Sequence, residues 1–127
     1  ISEEALIVAK QNATVLQSSA LFEKADIKEL AEQKWQSAEL IVANLPYVPD
    51  EYVINKAATH EPKIALFSGA DGLDLYRVLF SRLSSVNMIV LTESLAMQHK
   101  DLEEIARMRG YKLIKSNDLI QVFSRTK

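Results

Sequence analysis

The sequence predicts an α/β fold in which a parallel sheet ends in an antiparallel hairpin. Helix and strand patterns alternate along the 127 residues, in the order helix–strand–helix–strand–helix–strand–helix–hairpin. Two short apolar runs, 38–43 and 88–91, have the length and composition of buried parallel strands. Two further strand patterns, 111–115 and 119–123, flank polar turn residues and predict the terminal hairpin.

The first forty residues predict two helices and two strands. Ser2 caps a helix from Glu3 to about Asn12, whose first-turn carboxylates suit the positive end of the helix. A short strand is predicted over Thr14–Gln17 and a polar helix over Asp26–Lys34. The apolar strand 38–43 then ends at a proline-containing turn, and the parallel part of the sheet requires right-handed crossovers.

The middle of the chain predicts a long loop followed by an amphipathic helix. Residues 50–68 read as a loop with helical pieces, and loops of that length inside a compact domain are usually functional. A turn over 69–72 precedes a helix that begins at Asp71 or Gly72 and runs through Leu83. Its apolar positions form one stripe that is expected to face the core. The stripe consists of Leu75, Val78, Leu79 and Leu83.

The last helix is predicted over Leu95–Arg109, stopped by Gly110. It follows the strand 88–91, which ends at Thr92-Glu93-Ser94. Glu93 therefore lies near the carboxyl end of a parallel strand. The sequence does not decide whether its side chain is solvated or makes a contact at the ligand crevice.

Composition restricts the class of protein. The chain is long enough for one domain with a buried core, and 48% hydrophobic and 25% charged residues are ordinary for a soluble protein. A net charge of −2 gives no basic footprint for nucleic acid, and the absence of cysteine excludes disulfides and thiolate metal sites. His60 and His99 lie far apart without a ligand pattern, so no metal site is predicted. No apolar run reaches the length of a membrane span, so the cytoplasm is the expected location.

The most informative motif is Asn44-Leu45-Pro46-Tyr47, which directly follows the strand 38–43. In open α/β sheets, ligands bind outside the carboxyl ends of the parallel strands. An amide side chain, a backbone bend and an aromatic ring are therefore expected at a ligand crevice. This combination suits the binding of a planar substrate nitrogen.

Two blocks of sequence together resemble the HemK/PrmC family of peptide-release-factor glutamine N5-methyltransferases. The first block is Asn44-Leu45-Pro46-Tyr47-Val48-Pro49, similar to the family's Asn-Pro-Pro-Tyr motif. The second, residues 61–74, carries Glu-Pro, Ala-Leu and a Gly-x-Asp-Gly-Leu turn that opens a helix. The opening residues 1–12 also look like the helix after the family's second strand.

The resemblance implies a class I S-adenosylmethionine methyltransferase sheet, Rossmann-like, with strand order 3-2-1-4-5-7-6 and strand 7 antiparallel. Residues 1–127 are then expected to form a partial methyltransferase domain that lacks strand 1, most of strand 2 and the glycine-rich cofactor loop. No Gly-x-Gly occurs in the sequence. Whether the chain is an enzyme by itself is left open, and the expectation is an inactive fragment of an active parent protein.

The resemblance also assigns roles to residues. Asn44 and Leu45 would be catalytic, because the Asn44 side-chain oxygen and the Leu45 carbonyl would accept the two N–H hydrogens of the target amide. Pro46 would hold the bend, and Tyr47 would pack on the planar target group. Ser18, Ser19 and Asn44 would contact the cofactor S-adenosyl-L-methionine, and the protein substrate would be a peptide-release factor.

The sequence leaves two alternative functions open. Leu45 stands where the family has proline, and Asn-Leu-Pro-Tyr also resembles the motif of RNA adenine amino-methyltransferases. The chain could instead be a non-catalytic, methyltransferase-like remnant, as the missing glycine loop suggests. In the expected sheet order the strand 38–43 has a bare edge, so the sequence predicts either repacking of the first twenty residues or association through that edge, with a homodimer as the simplest outcome.

Overall fold

The computed structural model describes residues 1–54 and 58–125 and divides into two compact units, the first spanning Ile1–Leu30 and the second beginning at Ala31. The first unit contains helix α1, Glu3–Val15. The Ser2 hydroxyl caps this helix by accepting a 3.2 Å hydrogen bond from the backbone N–H of Ala5. The predicted N-terminal cap is therefore confirmed.

The predicted strand over Thr14–Gln17 is wrong, because α1 continues through Val15. The Thr14 hydroxyl donates to the Lys10 carbonyl at 3.0 Å, and Gln17 has a left-handed backbone with φ of 52°. A helix satisfies its backbone groups within the segment, whereas a strand needs a neighbour. None of the four strands in the described part of the chain pairs with these residues.

The predicted polar helix over Asp26–Lys34 is also wrong in its extent. The Asp26 carbonyl accepts hydrogen bonds from the backbone N–H groups of Glu29 and Leu30, at 2.9 and 3.0 Å. These bonds close a single turn. Ala31 is extended, with φ −62° and ψ 140°, and only the short helix α2, Glu32–Gln36, follows. A segment with few apolar positions gains little from packing, so the helix does not propagate across the extended residue.

The second unit contains a four-stranded sheet in the order β1-β2-β4-β3. Its strands are β1 (Leu40–Ala43), β2 (Ile89–Glu93), β3 (Lys112–Asn117) and β4 (Ile120–Ser124). β1 and β2 are parallel, and β4 is antiparallel to both β2 and β3. The predicted α/β class is confirmed, and the order matches the 4-5-7-6 portion of the expected methyltransferase sheet.

β1 is parallel, as predicted, but it is not a buried strand. It lies at one end of the sheet, and Leu40 and Val42 are 50% and 71% exposed while Ala43 is buried. Successive side chains of a strand point to opposite faces. One face of β1 therefore packs on the core while the other presents apolar side chains to solvent.

Helices α4, Asp74–Arg82, and α5, His99–Arg107, follow β1 and β2 in sequence. α4 begins slightly later than predicted. Of the predicted stripe, Leu79 and Leu83 are buried and Leu75 and Val78 are half-buried. The stripe omitted Tyr76 and Phe80, which are fully buried, and the Phe80 ring packs edge-to-face on Tyr111 and Phe123 with both centroids 5.3 Å away.

The remaining predicted elements are confirmed with small shifts. The loop 50–68 contains a short 3₁₀ helix, Ala58–His60, and helix α3, Lys63–Leu66, while residues 55–57 lie outside the described part. The last helix begins as a 3₁₀ turn over Ala96–Gln98 and ends before Gly110, whose φ is 83°. Across residues 1–54 and 58–125, no helix has the length and apolar character needed to cross a bilayer.

Candidate functional site

The candidate site is the turn that follows β1 at the carboxyl edge of the parallel strands. Ala43, the last residue of β1, pairs with Thr92 of β2, so the turn and the end of β2 lie side by side. Asn44 is exposed, and its side chain has no hydrogen-bond partner among the described residues. Within the same ranges no backbone hydrogen bond reaches the Leu45 carbonyl oxygen. Two adjacent acceptors therefore have no hydrogen-bond partner among the described residues.

Tyr47 is fixed by the neighbouring strand. Its hydroxyl donates a 2.9 Å hydrogen bond to Glu93 Oε1, and Glu93 is the last residue of β2. Burial raises the pKa of Tyr47 to about 12, and the hydrogen bond to Glu93 and its negative charge add to the effect. The phenol therefore remains a neutral donor near pH 7. Glu93, whose role the sequence left open, makes a contact at the site.

Tyr76 supports the site from the core side of the sheet. Its hydroxyl lies 3.1 Å from the Ala43 carbonyl oxygen and 2.5 Å from the Glu93 carbonyl oxygen, so one fully buried phenol bridges the ends of β1 and β2. Burial is the main cause that raises the pKa of Tyr76, while backbone hydrogen bonds at Leu45 and Glu93 oppose it. The sequence analysis missed this residue, although its spacing from Leu79, Phe80 and Leu83 has the helical period that marks a buried face.

Gln98 is a second residue that the sequence analysis missed. Its side chain is 4% exposed and donates to the Tyr47 carbonyl at 2.7 Å and to the Asp71 carbonyl at 2.6 Å. Its Oε1 accepts from the backbone N–H of Leu95 at 2.9 Å. A glutamine in a polar segment carries no distinctive signal in a single sequence, so only the structure identifies this contact.

The two sequence blocks that carry the family resemblance are paired in space. Val48 donates to the Leu66 carbonyl at 2.8 Å and its own carbonyl accepts from Ser68 at 3.1 Å. Asp50 donates to the Gly69 carbonyl at 3.0 Å, which extends the pairing toward the glycine turn. The backbone of the second block thus holds the residues that follow Tyr47.

The glycine turn itself leads into α4. The Ser68 hydroxyl accepts from the backbone N–H of Leu75 at 3.1 Å. Asp71 accepts from the backbone N–H of Leu73 at 3.0 Å and forms an ion pair of 2.5 Å with Arg77. The hydrogen bond from Arg77 is the main cause that lowers the pKa of Asp71 to about 2. These contacts indicate that Asp71 stabilises the start of the helix, a structural role and not a catalytic one.

The four residues Asn44-Leu45-Pro46-Tyr47 follow β1 in the second unit, whereas the two predicted serine contacts lie in the first unit. Ser18 and Ser19 are exposed and belong to the first unit. The Ser18 hydroxyl accepts a 3.2 Å hydrogen bond from the backbone N–H of Ala20, so it is engaged in its own turn. Their role as cofactor contacts stays a prediction.

Comparison with known proteins identifies the relatives of the chain. It is 36% identical over 89 residues to the release factor glutamine methyltransferase of Bacillus cereus, a match that covers 68% of this chain and 31% of that protein. The enzyme of the same name from Enterococcus faecalis is 39% identical over 83 residues, covering 62% and 29% of the two chains. The one from Streptomyces coelicolor is 54% identical over 44 residues, covering 32% and 16%.

These matches cover a limited part of the relatives, and no family model matches the chain. The chain spans about a third of the length of the curated relatives that it matches. Several relatives with the same name align over about 60 to 70% of the chain at 31 to 39% identity, which confirms the resemblance found in the sequence. The chain is therefore similar, over about two thirds of its own length, to proteins named release factor glutamine methyltransferase.

Proposed function

We propose that this chain carries the target-amide site of an S-adenosylmethionine-dependent methyltransferase that modifies a glutamine side chain of a peptide-release factor. The observation that carries the proposal is the pair of acceptors at the end of β1, the exposed Asn44 side chain and the Leu45 carbonyl, beside a fixed Tyr47 ring. The names of the relatives support the choice of substrate.

The chemistry of an amide explains why two acceptors are needed. An amide nitrogen is a poor nucleophile, because its lone pair is delocalised into the carbonyl group. Asn44 Oδ1 and the Leu45 carbonyl each accept one N–H, and together they fix the orientation of the nitrogen. Positioning of this kind can lower a barrier by roughly 7–11 kcal/mol at best. S-adenosylmethionine, when bound, supplies an electrophilic methyl group.

Each remaining residue of the turn has a positioning role in this proposal. The Tyr47 ring, held by Glu93, packs against the planar amide of the target. Pro46 restricts the backbone between the Leu45 carbonyl and Tyr47, since its ring fixes φ near −65°. The carbonyl acceptor is a backbone group, so it survives the presence of leucine at position 45, where the family has proline.

The residues of this chain do not by themselves form a convincing cofactor site. The chain has three glycines and none occurs in a Gly-x-Gly pattern. The Ser18 hydroxyl accepts one hydrogen bond, from the backbone N–H of Ala20 in its own turn. The proposal therefore includes that the 127 residues alone are inactive in methyl transfer.

Calorimetric titration of the purified chain with S-adenosylhomocysteine tests the cofactor part of the proposal. We expect no detectable heat. Clear one-to-one binding would contradict the expected inactivity of the chain and would call for a methyl-transfer assay with a release factor. The same assay with an adenine-containing RNA, run in parallel with the release factor, would then show whether the substrate is a protein glutamine or an RNA adenine.

Two further parts of the proposal concern partners and location. In the described part of the chain β1 is the last strand of the sheet, and this position and the exposed Leu40 and Val42 support self-association of this chain through the sheet edge. A cytoplasmic location belongs to the same proposal and rests on the release-factor substrate.

A further inference from the structure

We propose that Gln98 is a positioning residue that fixes the backbone of the target-amide turn, an inference that rests on the proposed function. It lies outside the turn, in the 3₁₀ helix that follows β2. It would not contact the substrate. It acts on the site through the Tyr47 carbonyl, two residues beyond the Leu45 carbonyl that binds the target.

The first support is the completeness of its hydrogen bonding. The Nε2 group of Gln98 has two hydrogens, and carbonyl oxygens of Tyr47 and Asp71 lie 2.7 and 2.6 Å from it. The Oε1 atom accepts from the Leu95 backbone at 2.9 Å. Among protein side chains, only a primary amide carries two N–H donors on one nitrogen and an acceptor oxygen on the same carbon. The other side-chain amide, asparagine, is one methylene shorter.

The second support is the close packing around Gly72. With φ at 78°, Gly72 adopts a conformation that favours glycine, and a Cβ built there would lie 2.1 Å from the Tyr47 carbonyl oxygen and 2.5 Å from Gln98 Nε2. Tyr47, Gly72 and Gln98 thus meet without room for another atom. Among the described contacts, Gln98 is the donor to the Tyr47 carbonyl oxygen in this closely packed place.

The third support is that Tyr47 is held at two points, its hydroxyl and its carbonyl. Glu93 holds its hydroxyl and Gln98 holds its carbonyl, and both residues belong to the segment that ends β2 and follows it. Pro46 transmits this constraint to Leu45, because its ring removes one backbone rotation. Loss of the Gln98 contact therefore allows the Leu45 carbonyl to change its orientation, while the second acceptor, the Asn44 side chain, is unchanged.

The test compares two buried glutamines in the same chain. Gln98→Met removes the contacts with Tyr47 and Asp71 and keeps a side chain of similar length. Gln121→Met is the matched control, because Gln121 is 1% exposed and its Nε2 donates at 3.1 Å to the carbonyl of His99, the residue after Gln98, and to no residue of the turn among the described contacts. Gln98→Glu is a second variant that has nearly the same shape but loses the donors when ionised.

The first measurement is amide hydrogen exchange, read by NMR on the intact 127-residue chain. For Gln98→Met we expect the amides of Val48 and Asp50 to exchange at least tenfold faster, while amides of the β2–β4 ladder change less than twofold. Gln121→Met should leave Val48 and Asp50 unchanged. In Gln98→Glu, protection of the two amides should partly return at acidic pH, where the protonated carboxyl group again donates one hydrogen bond.

The second measurement is the affinity for a short peptide that contains a glutamine, followed by chemical-shift titration. We expect Gln98→Met to weaken binding at least threefold and Gln121→Met to leave it unchanged. Unaltered exchange at Val48 and Asp50, or a parallel loss of protection throughout the sheet, would overturn the positioning role. Failure of the unsubstituted chain to bind the peptide would instead contradict the proposed function, and the exchange data would still decide whether Gln98 holds the turn.

Discussion

The Tyr47 hydroxyl donates a 2.9 Å hydrogen bond to Glu93 Oε1, and this bond joins the turn after β1 to the last residue of β2. The orientation of the aromatic ring is therefore set by the neighbouring strand. A ring that is already oriented loses little side-chain entropy when a planar group packs on it. The relationship explains how a short exposed turn can present a defined surface.

Replacing Tyr47 with phenylalanine keeps the ring but removes this bond. We expect the free energy of unfolding to fall by about 1 kcal/mol, because Glu93 loses a partner in a half-buried position. Peptide binding should weaken as the ring becomes free to rotate. Urea denaturation measures the first effect. Tyr52→Phe is the control: Tyr52 is 44% exposed, and its change should stay within about 0.5 kcal/mol.

The ion pair between Asp71 and Arg77 predicts a stability change in acid. The pKa of Asp71 is lowered to about 2 in the folded chain, below its value in the unfolded chain. Its contribution is therefore present above about pH 4 and is lost as the pH falls toward 2. Since both side chains are nearly half exposed, at 45% and 46%, we expect roughly 1 kcal/mol or less.

Denaturation between pH 2 and 6 measures this effect. Asp71→Asn should be less stable than the unsubstituted chain at pH 6, and the difference should shrink as the pH approaches 2. Asp50→Asn provides a control at another exposed aspartate. A difference between Asp71→Asn and the unsubstituted chain that stays constant over the whole range would contradict the assignment.

Replacement of Gly72 with alanine is predicted to cost more stability than replacement of Gly110. In Gly72→Ala the added Cβ would meet the Tyr47 carbonyl oxygen at 2.1 Å, so the turn must move. Gly110→Ala is the matched control, since its φ of 83° carries a similar backbone cost but its Cβ would meet the flexible Arg125 side chain at 3.1 Å. We expect a loss of about 1 kcal/mol for Gly110→Ala and about 2 kcal/mol or more for Gly72→Ala. Chemical denaturation of the two variants checks the order.

The free edge of β1 predicts concentration-dependent association. Val42→Lys places a charge on the exposed face of that edge strand and should shift the chain toward monomer in light scattering. Val53→Lys is the control, because Val53 is 90% exposed and lies in the loop after the turn. An unsubstituted chain that is monomeric at all concentrations would contradict the dimer.

Periodicity predicted the sheet well, because parallel strands and the hairpin are marked by compact apolar runs and turn residues. It failed for Thr14–Gln17, where the same apolar character occurs at the end of helix α1. It also overestimated the burial of Val42, since composition cannot distinguish a central strand from an edge strand. Both errors concern the neighbours of a segment, which its own residues do not encode.

The candidate site was predictable only in part. Asn44-Leu45-Pro46-Tyr47 has a recognisable motif at the end of a strand, and the structure places it there. Tyr76 and Gln98 support it through backbone carbonyls that lie 33 and 51 residues away in sequence. Such contacts depend on the path of the main chain, so a single sequence carries no pattern for them.

The most direct test of the target-amide site is a chemical-shift titration of the ¹⁵N-labelled chain with a short glutamine-containing peptide. A peptide with glutamate in place of the glutamine and the variant Asn44→Ala serve as controls. We predict shifts at the Asn44 side-chain amide and at the backbone of Leu45 and Tyr47 with the glutamine peptide only, and their loss in Asn44→Ala. Equal shifts with the glutamate peptide, or shifts confined to other parts of the chain, would contradict an amide-binding site at the end of β1.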